Sequence, residues 1–141
     1  MKKKTGKTCR MKIHLGTDIC EIDRIENLYK KFGKKFLYKI FTEEEIQYSL
    51  SRSSNLAHRL AVRFATKEAV SKALGVGLNG LGWSKGVDWK DIELIRNQNG
   101  NVNIKLYNKA LILQDQAGIK RWEVSVSHSK NIAISTVIGY E

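Results

Sequence analysis

The chain has 141 residues, 42% hydrophobic and 28% charged, which suits a single domain with a modest core. Its net charge is +11, and residues 1–10 supply five basic groups and no acid, so the remainder carries 20 basic against 14 acidic groups, or +6. That balance predicts attraction to a polyanion, while the lack of a long apolar run and of an apolar stretch behind the charged start excludes a membrane span and a secretory signal.

Two unpatterned thiols, Cys9 and Cys20, match no zinc or redox spacing and fit a reducing cytoplasm. Residues 1–10 are expected to be a disordered basic extension ahead of one domain spanning 11–141, and Met11 stands where a second start could lie. Met11–Ile19 reads as a first strand, with Ile13, Leu15 and Thr17 on one face and His14 and Gly16 on the other. Asp18 falls at its end, either as a carboxylate mounted for function or as the N-cap of the next helix. Ile22–Phe32 follows as a short basic helix with Arg24 off its apolar stripe, and Lys34–Ile40 as a second. Thr42 and Glu45 make a capping box for a third, whose first turn carries three acids at the favourable end of the helix dipole.

A longer helix is predicted from near Asn55, with His58 and Arg59 exposed in its first turn. Its core is Arg63–Gly77, where Phe64, Ala65, Ala69, Ala73 and Leu74 recur at helical steps and Gly75 supplies the stop. Glu68, Ser71 and Lys72 stand at i, i+3 and i+4, with Arg63 and Lys67 one turn earlier. A carboxylate among cations suits a site for a divalent metal and a phosphorylated ligand; a solvated face with a Glu68–Lys72 ion pair is the plainer alternative. Asp18 and Glu68 together are candidates for a Mg²⁺ site completed by phosphate oxygens and water.

Gly75–Gly86 is a glycine-rich loop without the lysine and hydroxyl residue of a nucleotide-binding P-loop. Trp83 and Trp89 are expected to cover an edge of the core or an interface. Beyond it the period changes to that of strands: Asp91–Asn97 and Val102–Leu106 around an Asn-Gly hairpin turn, a helix over Tyr107–Ala117, then Arg121–His128 and Asn131–Ile138. His128 sits at the last turn, within reach of solvent or ligand. The sum is an α+β fold, with helices mainly in the first half packed on a small antiparallel sheet.

Four stretches together resemble the bacterial holo-[acyl-carrier-protein] synthase family, the short 4′-phosphopantetheinyl transferases. They are Gly16-Thr17-Asp18 with Arg24; Phe41-Thr42 with Glu45; Arg63-Phe64-Ala65, Lys67-Glu68-Ala69 and Lys72-Ala73-Leu74-Gly75; and Ser125-Val126-Ser127-His128. The match runs in order from about Lys12 to Gly139.

The resemblance implies transfer of the 4′-phosphopantetheine arm of coenzyme A to a serine of apo acyl carrier protein, in fatty acid biosynthesis. It implies Mg²⁺ on Asp18 and Glu68, Lys72 on the pyrophosphate, Lys67, Ser71, Gly75 and His128 toward coenzyme A, and Arg24 toward the acidic carrier. Glu68 is the preferred base for the attacking serine, with Lys67 the alternative. It further implies a homotrimer with each site between two subunits. The hairpin departs from the family's usual Gly-Pro, since Gly100 is followed by Asn101. The rival reading is a small basic nucleic-acid-binding domain, resting on net charge and aromatic content; it leaves the Asp18 and Glu68 pairing unexplained.

Overall fold

The computed structural model describes residues 10–79 and 86–141. The expectations for the basic extension and for Trp83 therefore lie outside the described residues. The elements run β1 (Ile13–Glu21), α1 (Ile22–Phe32), α2 (Lys34–Ile40), α3 (Glu43–Leu50), α4 (Leu56–Ala73), a 3-10 turn at Trp89–Asp91, β2 (Ile92–Arg96), β3 (Val102–Leu106), α5 (Asn108–Gln116), β4 (Arg121–His128) and β5 (Ile132–Tyr140). β1, β5 and β4 form an antiparallel sheet in that order, and β2 and β3 a separate hairpin. The fold is α+β, as expected.

Helix α4 is the axis of the molecule. It packs across β1 and β5 on one side and against α1, α3 and β2 on others. Most of its residues from Leu60 to Ala73 are consequently buried, including the cations Arg63 and Lys67. A helix surrounded on several sides has no clean polar stripe, so periodicity alone could not tell its inward cations from its outward ones. His58 and Arg59 are half-buried rather than exposed. Arg59 is held by carbonyls of the preceding segment, donating to Ser49 O at 2.8 Å and Arg52 O at 2.8 Å, and also to Ser54 O.

Strand β1 places its residues opposite to hydrophobic expectation. Its core face is His14, Gly16, Asp18 and Cys20, while Ile13, Leu15 and Ile19 are 60%, 63% and 62% exposed. The cause is the closeness of α4: a Cβ on Gly16 would lie 1.8 Å from Ala69 O. Only glycine permits that approach. The strand also continues three residues past Asp18, which is therefore a mid-strand residue opposite Ser135 and not a helix cap. Glu21 occupies the position before α1 and makes no side-chain cap bond.

Elsewhere local chemistry sets the boundaries directly. Thr42 Oγ1 accepts from Glu45 N at 3.3 Å and Glu45 Oε2 accepts from Thr42 N at 3.0 Å, closing the capping box of α3. Gly75 takes φ +72° after the last turn of α4, and Gly100 takes φ +87° in the hairpin turn. Trp89 is buried and stacks on Phe64 at 4.6 Å between ring centroids, so it belongs to the core.

Candidate active site

The close approach of β1 and α4 brings two carboxyls and an ammonium together. Lys72 Nζ stands 2.8 Å from Asp18 Oδ1 and donates to Thr17 O at 3.0 Å. Lys72 is thus paired with Asp18 across the strand–helix contact, rather than with Glu68 along the helix. Asp18 is buried, and its Oδ2 has no hydrogen-bond partner among the described residues. Burial raises the Glu68 pKa to about 8, helped by the hydrogen bond a protonated Glu68 makes to Asp18 and by the Asp18 charge; Arg24 and Lys72 oppose it. Two carboxyls so placed resist joint ionisation unless a cation joins them. Burial also pushes the nearby Cys20 thiol up to about 12, leaving it unreactive at neutral pH.

The strip read along α4 opens onto a cavity of about 410 Å³ lined by Glu68, Ser71, Lys72, Gly75 and Gly77. Ser71 Oγ donates to Glu68 O at 2.7 Å, and Val76 N to Ser71 O at 3.0 Å, which turns the chain sharply past the helix end. A Cβ on Gly75 would meet nothing within 4 Å, so its positive φ, not crowding, calls for glycine there. The Lys72 side chain is 57% exposed and holds its charge at the mouth of this cavity.

Two predicted site residues are not brought here. Lys67 is fully buried on another side of α4, 2.8 Å from Glu45 Oε2, donating to Trp89 O at 3.0 Å and also to Ile92 O. Enclosed by these acceptors, it lines neither the Glu68–Lys72 cavity nor the basic cavity around Arg63, so its expected cofactor-binding role and the alternative-base role find no support in its placement. The side chains at i and i+1 diverge by about 100° around a helix, which sends Lys67 inward and Glu68 to the cleft.

His128 lies toward the other end of α4, in a basic cavity of about 450 Å³ with His58, Arg59, Arg63 and Arg96. The His58 and His128 rings meet edge to face at 5.2 Å. Arg63 is buried with its guanidinium 4.5 Å over the Tyr48 ring, and its Nε has no partner among the described residues. Burial lowers the Arg63 pKa, and Arg59 and Arg96 add to that. Sequence reading did not anticipate this cluster, because its residues come from separate segments, α4, β2 and β4 among them. A third concavity, about 310 Å³, is lined by Leu28, Phe32, Phe36 and Phe64 and rimmed by Arg24, Lys35 and Lys39. Arg24 stands 5.5 Å over the Phe64 ring.

The sequence profile of the 4′-phosphopantetheinyl transferase superfamily matches residues 14–137. The chain is an enzyme of the holo-[acyl-carrier-protein] synthase family. It is 42% identical over 123 residues to the holo-[acyl-carrier-protein] synthase of Gloeobacter violaceus, covering 87% of this chain and 89% of that one. Among solved structures, the Neisseria meningitidis synthase superimposes with a TM-score of 0.76 at 32% identity, covering 91% of this chain and 98% of that one. The Helicobacter pylori synthase in complex with coenzyme A gives 0.72 at 31% identity, covering 90% and 99%.

In this synthase-family chain the residues present fit a divalent cation. Among the described residues no group of three or more His, Cys, Asp or Glu forms a metal cluster. Mg²⁺ commonly takes one or two protein carboxylates with phosphate oxygens and water, which matches an orphaned Asp18 oxygen beside Glu68.

Proposed function

We propose that the enzyme moves the 4′-phosphopantetheine arm of coenzyme A onto a serine of apo acyl carrier protein, releasing adenosine 3′,5′-bisphosphate, with Mg²⁺ held by Asp18 and Glu68. The observation that carries this reading is the Asp18–Glu68–Lys72 constellation, closed off by the Gly75 turn, in a chain of this family. The serine oxygen bonds to the pantetheine-side phosphorus as the bridging P–O bond breaks, and the nucleotide leaves with the electron pair. When bound, the cation would neutralise charge on the pyrophosphate.

Lys72 offers a half-exposed ammonium and steadies the leaving phosphate; Ser71 and the Gly75 turn let backbone and hydroxyl approach it. Glu68, ionised when the cation is bound, accepts the serine proton. No protein nucleophile is required, since the attacking hydroxyl belongs to the carrier.

Two surfaces extend the proposal. The Arg24, Lys35 and Lys39 rim around an apolar groove complements an acidic carrier presenting an apolar helix face. The basic cavity around Arg63 and His128 suits the phosphorylated nucleotide end of coenzyme A. The two cavities are lined by different residues near opposite ends of α4, which suits a ligand held between two subunits, each contributing one of them. The exposed isoleucines and leucine of β1, together with exposed Ile134 and Ile138 of β5, supply an apolar sheet face for such an assembly, in keeping with a homotrimer. Sedimentation equilibrium reads this directly: three chain masses are expected, and a monomer at micromolar concentration would remove the shared-site reading.

Among the described residues no helix is long and apolar enough to cross a membrane. Work on coenzyme A and a carrier protein, with an unbridged Cys20, fits the cytoplasm and fatty acid biosynthesis. The net positive charge is accounted for by anionic substrates, without nucleic acid. Chromatography of the reaction tests the chemistry: adenosine 3′,5′-bisphosphate should accumulate only when apo carrier, coenzyme A and enzyme are all present, and release without carrier would mean hydrolysis instead.

A further inference from the structure

A fully buried lysine lies one residue from the proposed metal ligand and has no part in the chemistry above. Lys67 is 0% exposed, and the Glu45 carboxylate it faces is 1% exposed. Every acceptor around the ammonium belongs to a different element: Glu45 Oε2 on α3, Trp89 O in the 3-10 turn, and Ile92 O at the start of β2. Those acceptors are themselves fixed. Glu45 Oε1 accepts from Leu94 N at 2.9 Å and Oε2 from Thr42 N at 3.0 Å. Glu93, the neighbour of Leu94, accepts from Tyr107 Oη at 2.8 Å and from Thr42 Oγ1.

The opposite side of α4 is pinned just as closely. Thr66 Oγ1 is 2.8 Å from Ser135 Oγ on β5, and Ala69 O sits where a Gly16 Cβ would be. Glu68 therefore projects from a helix whose roll is fixed by the sheet on one side and by Lys67 on the other. An apolar side chain would fill the space without dehydrating a charge, but would leave the Trp89 and Ile92 carbonyls without this donor.

We propose that the buried Lys67–Glu45 pair is a positioning device: it sets the rotation of α4, and so holds the Glu68 carboxylate at cation-binding distance from Asp18. This rests on the metal reading given under the proposed function. A carboxylate at the rim of a helix lies about 5–6 Å from the axis, so a roll of about 10° displaces it by about 1 Å. Displacements of that size cost about a hundredfold in well-placed sites, and loss of groups that orient ligands costs about 10- to 100-fold in metal affinity.

The test is Mn²⁺ binding to the full chain with coenzyme A, read by electron paramagnetic resonance, together with thermal melting. Lys67→Met with Glu45→Gln removes both charges while keeping shape. The expected result is a melting temperature near that of the unaltered protein but Mn²⁺ affinity about 10- to 100-fold weaker, with KM for the carrier unchanged. A merely structural pair would return Mn²⁺ affinity along with stability, and that result overturns the proposal. Should the double variant not fold, Lys67→Gln with Glu45→Gln, whose neutral amides leave no lone buried charge, is read the same way. Absence of Mn²⁺ binding in the unaltered protein would sink the metal reading itself, and this inference with it.

Discussion

Replacing Glu68 by glutamine should stabilise the metal-free protein while nearly abolishing transfer. Glu68 keeps its proton up to about 8, against an ordinary 4.5. A carboxyl with a raised folded-state pKa contributes stability that is complete below about 4.5 and is lost as pH rises through about 8. Taken in full, that difference corresponds to about 5 kcal/mol. Solvent reaching the half-buried group, with Arg24 and Lys72 beside it, reduces the usable part to about 1–2 kcal/mol.

Glu68→Gln should therefore melt within error of the unaltered protein near pH 5 in EDTA, where glutamate is also neutral. Near pH 8.5 it should melt roughly 3–8 °C higher. Added Mg²⁺ with coenzyme A should raise the unaltered protein's melting temperature at pH 8.5 more than at pH 6, because a proton competes at the lower pH; the variant should not respond at either. Paired calorimetric melts and a transfer assay are sufficient. A variant that melts lower than the unaltered protein at pH 8.5, or one that still transfers, would refute the carboxylate pairing on which the site is built.

Gly16→Ala should destabilise the fold by about 1–3 kcal/mol, since the added Cβ meets backbone at Ala69 that cannot swing aside; denaturant unfolding gives the figure, and an unchanged midpoint would show that β1 and α4 are not in close contact. Activity should fall with it, because β1 carries Asp18. Arg24→Ala should raise KM for the carrier severalfold while leaving coenzyme A binding within about twofold, as expected of a charge at a docking rim; equal effects on both substrates would remove Arg24 from the carrier surface. Arg63→Ala should instead weaken coenzyme A binding and spare KM for the carrier, read by titration calorimetry, and the reverse pattern would dissociate the basic cavity from the nucleotide.

Much of the fold could be read because its boundaries are made locally. Gly33 separates Ile22–Phe32 from Lys34–Ile40, Thr42 caps with Glu45, and Gly75, Gly100 and Gly118 take the positive φ angles that end or turn their segments. What sequence could not show was set by tertiary contact. Ile13 and Leu15 share the more apolar face of β1, yet the closeness of α4 at Gly16 turned the small and polar face inward. Lys67 and Lys72 have the same chemistry five residues apart on one helix, yet one is enclosed by Glu45 and two carbonyls while the other reaches Asp18 at the cleft. Their positions on the helix separate them only once its neighbours are known. The Arg63 cavity was hidden for a similar reason, its members arriving from α4, β2 and β4.

Under the proposed function, this enzyme carries phosphopantetheine to a carrier protein in a metal-dependent way through Asp18 and Glu68. Intact-mass spectrometry of an apo acyl carrier protein incubated with the enzyme, coenzyme A and Mg²⁺ addresses it directly, beside an EDTA control. A mass gain of one phosphopantetheine group that disappears with EDTA is the predicted result. No gain across several apo carriers, from a protein that melts cooperatively, would contradict the account.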